Sequence, residues 1–355
     1  MSLRKSAHLI IAAIILISCQ HATEALADSL GKRIALAFGH ILNMQKPDGS
    51  FEYLLDFSTG KFISGNSIVR QAGVAYGLGE YYVITKDRRA KAPLEAAIQV
   101  LRAWSVREGG GLLVKGAERT RYEPTSGATA LALLGALRYK EAAKSERFDD
   151  LIQDWKNGLA ELYIENHGMK TSAYDERESP YYNGEAWLAL AFYSNRYPDD
   201  DQVHALLVRL EKYLMEKYSS GLDSAFFHWG LMAASERYRG TGDDTFISFG
   251  LEQISKCDRD KENPPPYVEG AAELYSVLPD GDQKERLFTV LTEMKEKVFA
   301  EQQTGKTLPD GSRVHPSAKR YLGAFLLRPH EKVTRIDCTQ HGLSAMLKLR
   351  SIMPN

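Results

Sequence analysis

Four acidic residues of this 355-residue chain stand where the sequence predicts that buried helices begin. They are Glu185, Asp223, Glu269 and Asp337. Two carboxyl groups can supply a general acid and a general base for cleavage of a glycosidic bond, and inverting enzymes hold them roughly 6.5–9.5 Å apart so that a water molecule fits between. An acid at a helix N-terminus also caps the helix or meets its dipole favourably. Both roles stay open for these four candidate catalytic residues.

Polar and aromatic residues accompany the carboxylates at the same predicted helix starts. Aromatic rings offer apolar faces to the C–H groups of a sugar, and planar polar groups bind its hydroxyls. The candidate substrate-binding residues are Asn66, Arg70, Tyr181, Tyr182, Asn183, His228, Trp229, Arg335, Gln340 and His341. For Arg70 the alternatives are an internal ion pair or a clamp on a substrate carboxylate. The set as a whole predicts a carbohydrate ligand.

Three functions use such a set differently. A glycoside hydrolase with two carboxylates, acting on an envelope or extracellular polysaccharide, is the leading prediction. A polysaccharide lyase or sugar epimerase would use a tyrosine or histidine as base, such as Tyr182 or His341, and an arginine to neutralise a uronate. A non-catalytic glycan-binding or assembly protein would hold the sugar without turning it over.

Other chemistry has no support in the sequence. The chain lacks the motifs H-E-x-x-H, C-x-x-C, P-loop and G-x-S-x-G. His228, His315 and His341 do not have ligand spacing on one helix, so we expect no metal and no cofactor. With 45 basic and 46 acidic residues the net charge is −1, which gives no electrostatic reason to expect nucleic acid as a partner.

Two kinds of predicted helix alternate along the chain and position these residues. One kind is amphipathic, with apolar residues at helical spacing and charged residues between them. These outer helices are predicted at Asp28–Gln45, Lys91–Arg107, Glu146–Asn166, Asp200–Tyr218, Asp243–Lys256 and Asp282–Gln302. Short hairpins are expected in two loops, Gly109–Val114 and Lys306–Val314.

The other kind is apolar nearly all round and rich in glycine and alanine, which predicts close packing on every side. These inner helices are predicted at Asn66–Tyr82, Thr125–Tyr139, Asn183–Asn195, Ala225–Tyr238, Tyr267–Leu278 and Cys338–Leu349. Six strict alternations favour an all-α, closed (α/α)6 barrel, or toroid. The competing architecture is an open α-solenoid, but the connections are long and diverse and no solenoid repeat signature is present.

Three short motifs resemble those of the six-hairpin glycosidase-like superfamily of (α/α)6 toroids. Gln45–Phe51 is similar to a Q-x-x-D-G-S-[FW] turn, and Tyr182–Ala186 resembles the Y-x-G-E-A start of an inner helix. Arg335–His341 resembles an R-I-D-x-x-Q-H element near the end of exported bacterial members of uncharacterised function. The resemblance implies the toroid fold, and it implies carbohydrate chemistry where the outer-to-inner loops crowd one mouth of the barrel.

The N-terminus predicts export. Arg4 and Lys5 precede an apolar run, Leu9–Ile17, that is too short to span a bilayer and fits a signal peptide. Residues 1–18 then form a lipoprotein signal with Cys19 as the lipidated mature N-terminus, and cleavage after Ala27 is the alternative. The prediction is a lipoprotein on the periplasmic face of a bacterial membrane, or otherwise a soluble periplasmic or secreted protein.

The mature chain is predicted as one toroid domain, residues 28–355. Cys257 and Cys338 could form a disulfide in an oxidising compartment or stay as two thiols, and both alternatives are open. The sequence carries no signal for the oligomeric state.

Overall fold

The computed structural model describes residues 30–116, 123–258, 262–308, 310–316, 320–328 and 331–353, and these ranges contain twelve α-helices. In α3 the buried residues Leu94, Ala97, Ile98 and Leu101 recur at helical spacing and form one apolar stripe. Six helices of this kind are the outer helices. They are α1 (residues 30–44), α3 (Lys91–Ala103), α5 (Asp149–Ala160), α7 (Asp201–Ser219), α9 (Asp244–Lys256) and α11 (Asp282–Glu301).

The inner helices are buried nearly all round. They are α2 (Ile68–Thr85), α4 (Ser126–Ala143), α6 (Pro180–Ser194), α8 (Ser224–Thr241), α10 (Pro264–Tyr275) and α12 (Ile336–Ile352). Each inner helix packs against the inner helices before and after it, and α12 packs against α2. The ring is closed, which confirms the predicted (α/α)6 toroid and rules out the open solenoid.

Close packing between the inner helices depends on their small residues. A Cβ atom on Gly184 of α6 would lie 2.5 Å from the Cβ of Trp229 on α8. Atoms that are not bonded do not approach so closely, so even alanine would push these two helices apart. Glycine destabilises an isolated helix by about 1 kcal/mol relative to alanine, and here the packing of the ring compensates for that loss.

The first five inner helices each form an antiparallel hairpin with the outer helix that follows, through a short connection. Lys86 and Lys144 end α2 and α4 in the left-handed conformation, with φ of 57° and 52°, and Gly242 ends α8 in the same way. All six inner helices therefore begin at one end of the barrel, the N-terminal mouth, and end at the other, the C-terminal mouth.

Short antiparallel strands occupy the connections that lead into inner helices, at the N-terminal mouth. The strands are β1 (Leu54–Asp56), β2 (Phe62–Ile63), β3 (Ser105–Glu108), β4 (Gly111–Val114), β5 (Lys170–Ser172), β6 (Asp175–Glu178) and β7 (Val333–Arg335). One sheet has the order β2-β1-β7, with Leu54 opposite Ile63 on one side and Arg335 on the other. This sheet joins the entrance of α2 to that of α12 and closes the seam between the first and last hairpins.

Several boundaries differ from the prediction because of these strands. The outer helix predicted to reach Arg107 ends at Ala103, since Ser105–Glu108 pairs with β4 in a hairpin. The outer helix predicted at Glu146–Asn166 covers only Asp149–Ala160, and Asn166 has a φ of 59°. The second expected hairpin is represented by a single bridge between Thr307 and Arg313.

A buried network of charges fills the C-terminal mouth. Lys348 of α12 is 7% exposed and donates to Glu80 of α2 at 2.8 Å and to Glu273 of α10 at 2.7 Å. Tyr76 and Ser344 also donate to Glu80, at 2.9 and 2.6 Å. Burial would raise the pKa of Glu80, but the charges of Lys348 and Arg138 hold it below its usual range. These contacts bind three inner helices together at their ends.

The predicted signal peptide, the lipidation site Cys19 and the alternative cleavage after Ala27 lie outside the described residues. Within the described ranges, none of the helices combines the length and the apolar character that crossing a membrane requires. Cys257 and Cys338 are thiols and do not form the disulfide that the sequence left open.

Candidate active site

The predicted catalytic and binding residues gather at the N-terminal mouth, mostly in the first two turns of the inner helices. Glu185, Glu269 and His341 are each the sixth residue of their helices, α6, α10 and α12, and His228 is the fifth residue of α8. Side chains at one depth in a closed ring of helices point toward a common axis. The four residues therefore share a level just inside the mouth.

Asp337, in the first turn of α12, is the centre of an ion cluster. Its Oδ1 accepts a hydrogen bond from Arg335 at 2.5 Å, and its Oδ2 accepts from Arg335 and from Arg70 of α2, both at 2.8 Å. Arg70 also donates to the hydroxyl of Tyr53 at 2.6 Å. Burial would raise the pKa of Asp337, but the arginines hold it below the usual range. Asp337 is thus an anion at neutral pH with both oxygens engaged.

Glu185 is in the opposite electrostatic situation. It is 3% exposed, and its Oε2 has no hydrogen-bond partner among the residues that the structure describes. Burial raises the pKa of Glu185 well above the ordinary value of 4.5, and attraction to Arg70 opposes this only in part. The carboxyl group therefore keeps its proton at a pH where Asp337 has lost its own.

A glycine on the neighbouring helix makes room for this carboxyl group. A Cβ atom on Gly127 of α4 would lie 2.4 Å from Oε2 of Glu185 and 2.4 Å from a ring carbon of Tyr182. Burial and the nearby Glu185 carboxyl group raise the pKa of Tyr182, so its hydroxyl also stays protonated. Because Gly127 has no Cβ atom, the Glu185 carboxyl group and the Tyr182 ring can pack directly against the α4 backbone.

Two histidines whose pKa values shift in opposite directions lie beside Glu269. The fully buried Glu269 accepts from Nδ1 of His341 at 2.7 Å. Burial would lower the pKa of His341, but the Glu269 carboxylate raises it above the usual range. The His228 ring lies 5.4 Å from the His341 ring, and burial, followed by the charge of His341, lowers the pKa of His228 well below its usual range. His341 therefore holds its proton to a higher pH than His228 does.

Two of the predicted site residues make contacts that serve local structure. Asp223 caps α8, because its Oδ1 accepts from the backbone N–H groups of Ala225 and Phe226 at 2.9 and 3.3 Å. Asn183 accepts from the backbone N–H of Met169 at 2.7 Å and donates to Glu178 at 2.8 Å. Among the described residues, no hydrogen bond or ion pair joins either side chain to Glu185 or Asp337.

The other predicted binding residues differ in exposure. Trp229 is buried, with its ring 6.3 Å from Tyr76 and 6.1 Å from His341. Gln340 is also buried and lies against α2, with its Nε2 unpartnered within the described ranges. Asn66 accepts from Gln71 at the entrance of α2. Tyr181 is 51% exposed on the rim of the mouth, so it is the one most accessible to a ligand.

Sequence reasoning missed residues that act through distant contacts. Tyr53 holds Arg70, and Gly127 shapes the space for Glu185, yet neither stands next to its partner in the chain. Gln71 is a further residue of this kind. Its side chain exchanges two 2.8 Å hydrogen bonds with the backbone of Phe51 and so fixes the Gln45–Phe51 turn to α2. An uncharged polar residue inside an apolar helix was the available signal.

Solved structures with the same fold are enzymes that act on carbohydrates. An α-1,6-mannanase of glycoside hydrolase family 76 from Salegentibacter sp. HEL1_6, bound to α-1,6-mannotetrose, superposes with a TM-score of 0.69 and 10% identity over 91% of this chain and 99% of that one. An unsaturated glucuronyl hydrolase specific for heparin superposes with a TM-score of 0.66 and 9% identity, over 92% of this chain and 98% of that one. A sugar epimerase from a ruminal bacterium superposes with a TM-score of 0.64 and 11% identity, over 93% of this chain and 100% of that one.

The chain therefore has the (α/α)6 toroid fold of the six-hairpin glycosidases, as its motifs implied. At 9–11% identity the likeness concerns the fold alone. No protein-family model and no curated protein sequence matches the chain.

The inactive mannanase variant carries replacements at two consecutive aspartates. Consecutive aspartates occur in this chain only at Asp149–Asp150, Asp199–Asp201 and Asp243–Asp244. All three runs stand at the starts of outer helices, α5, α7 and α9, and hence at the C-terminal mouth.

Proposed function

We propose that this protein is a carbohydrate-active enzyme, and that it hydrolyses glycosidic bonds of a polysaccharide at the N-terminal mouth of the toroid. The observation that carries the proposal is the buried carboxyl group of Glu185, whose Oε2 finds no partner in the described part of the chain and whose pKa is raised by burial. An unpaired buried carboxyl group destabilises a protein and is rarely retained without a role. A carboxyl group that keeps its proton near neutral pH is what protonation of a leaving-group oxygen requires.

Asp337 supplies the second carboxyl group of this reaction. Its pKa is lowered while that of Glu185 is raised, and a divergence of this kind distinguishes an acid from its anionic partner. Both carboxyl groups interact with the guanidinium of Arg70, which donates to Asp337 at 2.8 Å and attracts Glu185 electrostatically. The two arginines weaken Asp337 as a base, so its negative charge is better suited to stabilising positive charge that develops on the sugar ring.

The substrate is proposed to be an oligosaccharide or polysaccharide. Exposed aromatic residues stand on the connections that form the rim of the N-terminal mouth, namely Phe62 at 38%, Tyr174 at 65% and Tyr181 at 51% exposure. Exposed rings on such a rim suit stacking against several sugar units. The mannanase and the heparin-specific hydrolase with this fold support a saccharide ligand, and because the two act on different glycans they favour no particular sugar.

The lyase or epimerase alternative requires a deprotonated base at the mouth. Tyr182 does not meet that requirement, because its pKa is raised above 10 and its hydroxyl stays protonated at neutral pH, and the raised pKa of His341 disfavours it as a base. The lowered pKa of His228, whose ring lies 5.4 Å from that of His341, is the observation that favours this alternative. A purely binding protein would use the Glu185 carboxyl group as a hydrogen-bond partner of a sugar hydroxyl, and it would show no turnover.

We also propose that the protein is exported and anchored as a lipoprotein through Cys19, so that the toroid meets envelope or extracellular polysaccharide. The support is the arrangement of Arg4, Lys5 and the short apolar run before Leu16-Ile17-Ser18-Cys19. Labelling of the expressed protein with a radioactive fatty acid, abolished by Cys19→Ser, is the expected result. Unlabelled protein released in soluble form would instead support cleavage after Ala27.

A panel of purified polysaccharides tests the reaction. The wild-type protein is expected to release reducing ends from one member without absorbance from unsaturated uronates. Glu185→Gln should lower turnover about 10²- to 10⁴-fold, since general acid catalysis contributes that much. Glu216→Gln, on the exposed face of α7, is the matched control and should keep full activity. Unsaturated products would indicate a lyase, an epimerised product the epimerase, and full activity of Glu185→Gln would overturn the assignment.

A further inference from the structure

Two buried side chains and a half-buried one, which the hydrolysis scheme does not use, converge at the N-terminal mouth. His228, Glu269 and His341 each offer one ligand atom, and these atoms all lie within 4.8 Å of one another. They come from α8, α10 and α12, which are consecutive around the ring. We propose that these residues bind a divalent transition-metal ion, with Zn²⁺ as the ion that suits them best.

The polar atoms of this cluster are not satisfied by the protein. Both ring nitrogens of His228 and Oε1 of Glu269 have no hydrogen-bond partner among the described residues, although His228 is 3% exposed and Glu269 is fully buried. A buried polar atom without a partner costs about 1–3 kcal/mol. Three such atoms on two neighbouring residues indicate a missing partner. One ring nitrogen of His228 and Oε1 of Glu269 can share a cation that accepts lone pairs, while the other His228 nitrogen carries the N–H of the neutral ring.

The helices are built to bring these residues together. A Cβ atom on Gly270, next to Glu269 in the chain, would lie 2.9 Å from the Cα of His228. Only glycine lets the α10 backbone come this close to α8 at that level. Oε2 of Glu269 is already 2.7 Å from Nδ1 of His341, so α10 and α12 are held together by the same residue. One carboxylate is thus placed between the two imidazoles.

The donor set has a recognisable preference. Two imidazole nitrogens with one carboxylate oxygen are the ligands of many catalytic zinc sites, and the same set binds Fe²⁺ in oxygenases. Ligand atoms of one tetrahedral zinc lie roughly 3.4 Å apart, given bonds of about 2.0–2.1 Å. The widest pair here would have to close by roughly 1.4 Å, a distance that side-chain rotation can provide.

The fourth coordination position would face the mouth. The side chain of His341 is 20% exposed, whereas His228 and Glu269 are buried, so the open side of the cluster lies toward solvent. A water molecule or a sugar hydroxyl could occupy it, as in catalytic sites that keep one position free. The inference does not depend on the hydrolase assignment, because metal binding is measured without any substrate.

Metal binding to the purified full chain tests the inference. After chelator treatment and dialysis, calorimetric titration with Zn²⁺ is expected to show one ion per chain. His228→Gln, Glu269→Gln and His341→Gln should each weaken binding at least about 100-fold, beyond the 10- to 100-fold effect typical of residues that only support a ligand. His167→Gln, at an exposed position, is the control and should bind as the wild type does.

A second measurement keeps the test decisive if a variant misfolds. Co²⁺ added to the wild-type protein should give visible absorption bands whose intensity reports four-coordinate geometry, and Zn²⁺ should displace it. Anaerobic titration with Fe²⁺ compares the other ion that the donor set accepts. The inference is overturned if none of the three ions binds, or if folded His228 and Glu269 variants bind them as the wild type does. The histidine pair would then be left with a role in proton transfer.

Discussion

Replacement of Glu185 by glutamine separates the catalytic role of this residue from any role in folding. Glutamine has nearly the same shape as a protonated glutamate and cannot ionise. If Glu185 is a buried, protonated acid, the folded variant keeps the packing against Gly127 and Tyr182 and loses only the transferable proton. Turnover should fall about 10²- to 10⁴-fold, while the fold stays intact.

The stability of the variant depends on pH in a direction that the structure fixes. Glu185 has a native pKa raised above its unfolded value of 4.5. Its contribution to wild-type stability is therefore fully present below pH 4.5 and is lost as the pH rises through the native pKa. At a pH above the native pKa, the wild type has lost about 1.4 kcal/mol of its free energy of unfolding for each unit by which the Glu185 pKa is raised. The glutamine variant has no such loss. Glu185→Gln should thus be more stable than the wild type at neutral pH and similar to it near pH 4.

Urea denaturation of both proteins at several pH values, followed by circular dichroism, measures this difference. The Glu216→Gln variant corrects for the loss of one exposed acid on α7. A variant that is less stable than the wild type at pH 7, with the deficit vanishing at acid pH, would show that Glu185 is an ionised and paired carboxylate. In that case the general-acid argument fails, whatever the activity of the variant.

Three further substitutions test other parts of the structure. Gly127→Ala should lower turnover about 100-fold, because the added Cβ displaces Glu185 by a distance that matters for catalysis. The control Gly31→Ala, whose Cβ meets no atom within 4 Å, should leave turnover unchanged. Equal activities of the two variants would argue against the Glu185 site. Asp337→Asn should reduce the free energy of unfolding by about 2 kcal/mol at neutral pH. Since the pKa of Asp337 is lowered, that deficit should disappear as the pH falls through the native pKa, and a pH-independent deficit would contradict the ion cluster. Lys348→Met should destabilise by about 3–5 kcal/mol in urea denaturation, because it leaves Glu80 and Glu273 buried without their cation; the exposed Lys212→Met is its control, and a loss as small as the control's would show that the pairs contribute little.

The fold could be predicted because its signal repeats six times. Apolar stripes mark the outer helices and all-round apolarity marks the inner ones, so that most boundaries fall within a few residues of the prediction, as at α11, predicted at Asp282–Gln302 and observed at Asp282–Glu301. The exceptions stand where tertiary pairing competes with helix propensity. Val106 and Arg107 extend the helical pattern of α3, yet they pair with β4 instead.

The candidate site could be placed from the sequence, but the roles of its residues could not be assigned. Polar residues at helix starts indicated the N-terminal mouth, where the structure brings most of them together. The state of each carboxyl group is set by partners far away in the chain, as between Arg70 and Asp337 or Glu269 and His341. No spacing rule reports such distances. The expectation of no metal rested on the spacing of histidines alone, and the proposed metal site adds Glu269, whose approach to His228 and His341 only the fold reveals.

The aromatic contact between Tyr76 and Trp229 and the charge network beyond it have a consequence for traffic through the barrel. These two rings come from α2 and α8, which stand opposite each other in the ring, and they meet 6.3 Å apart on the axis. Behind them Lys348, Glu80 and Glu273 occupy the far end. Side chains thus cross the barrel between its two mouths, and we expect that a sugar chain does not thread through it. Under the proposed hydrolase function, product leaves by the opening through which the next substrate enters, and the two should compete for it.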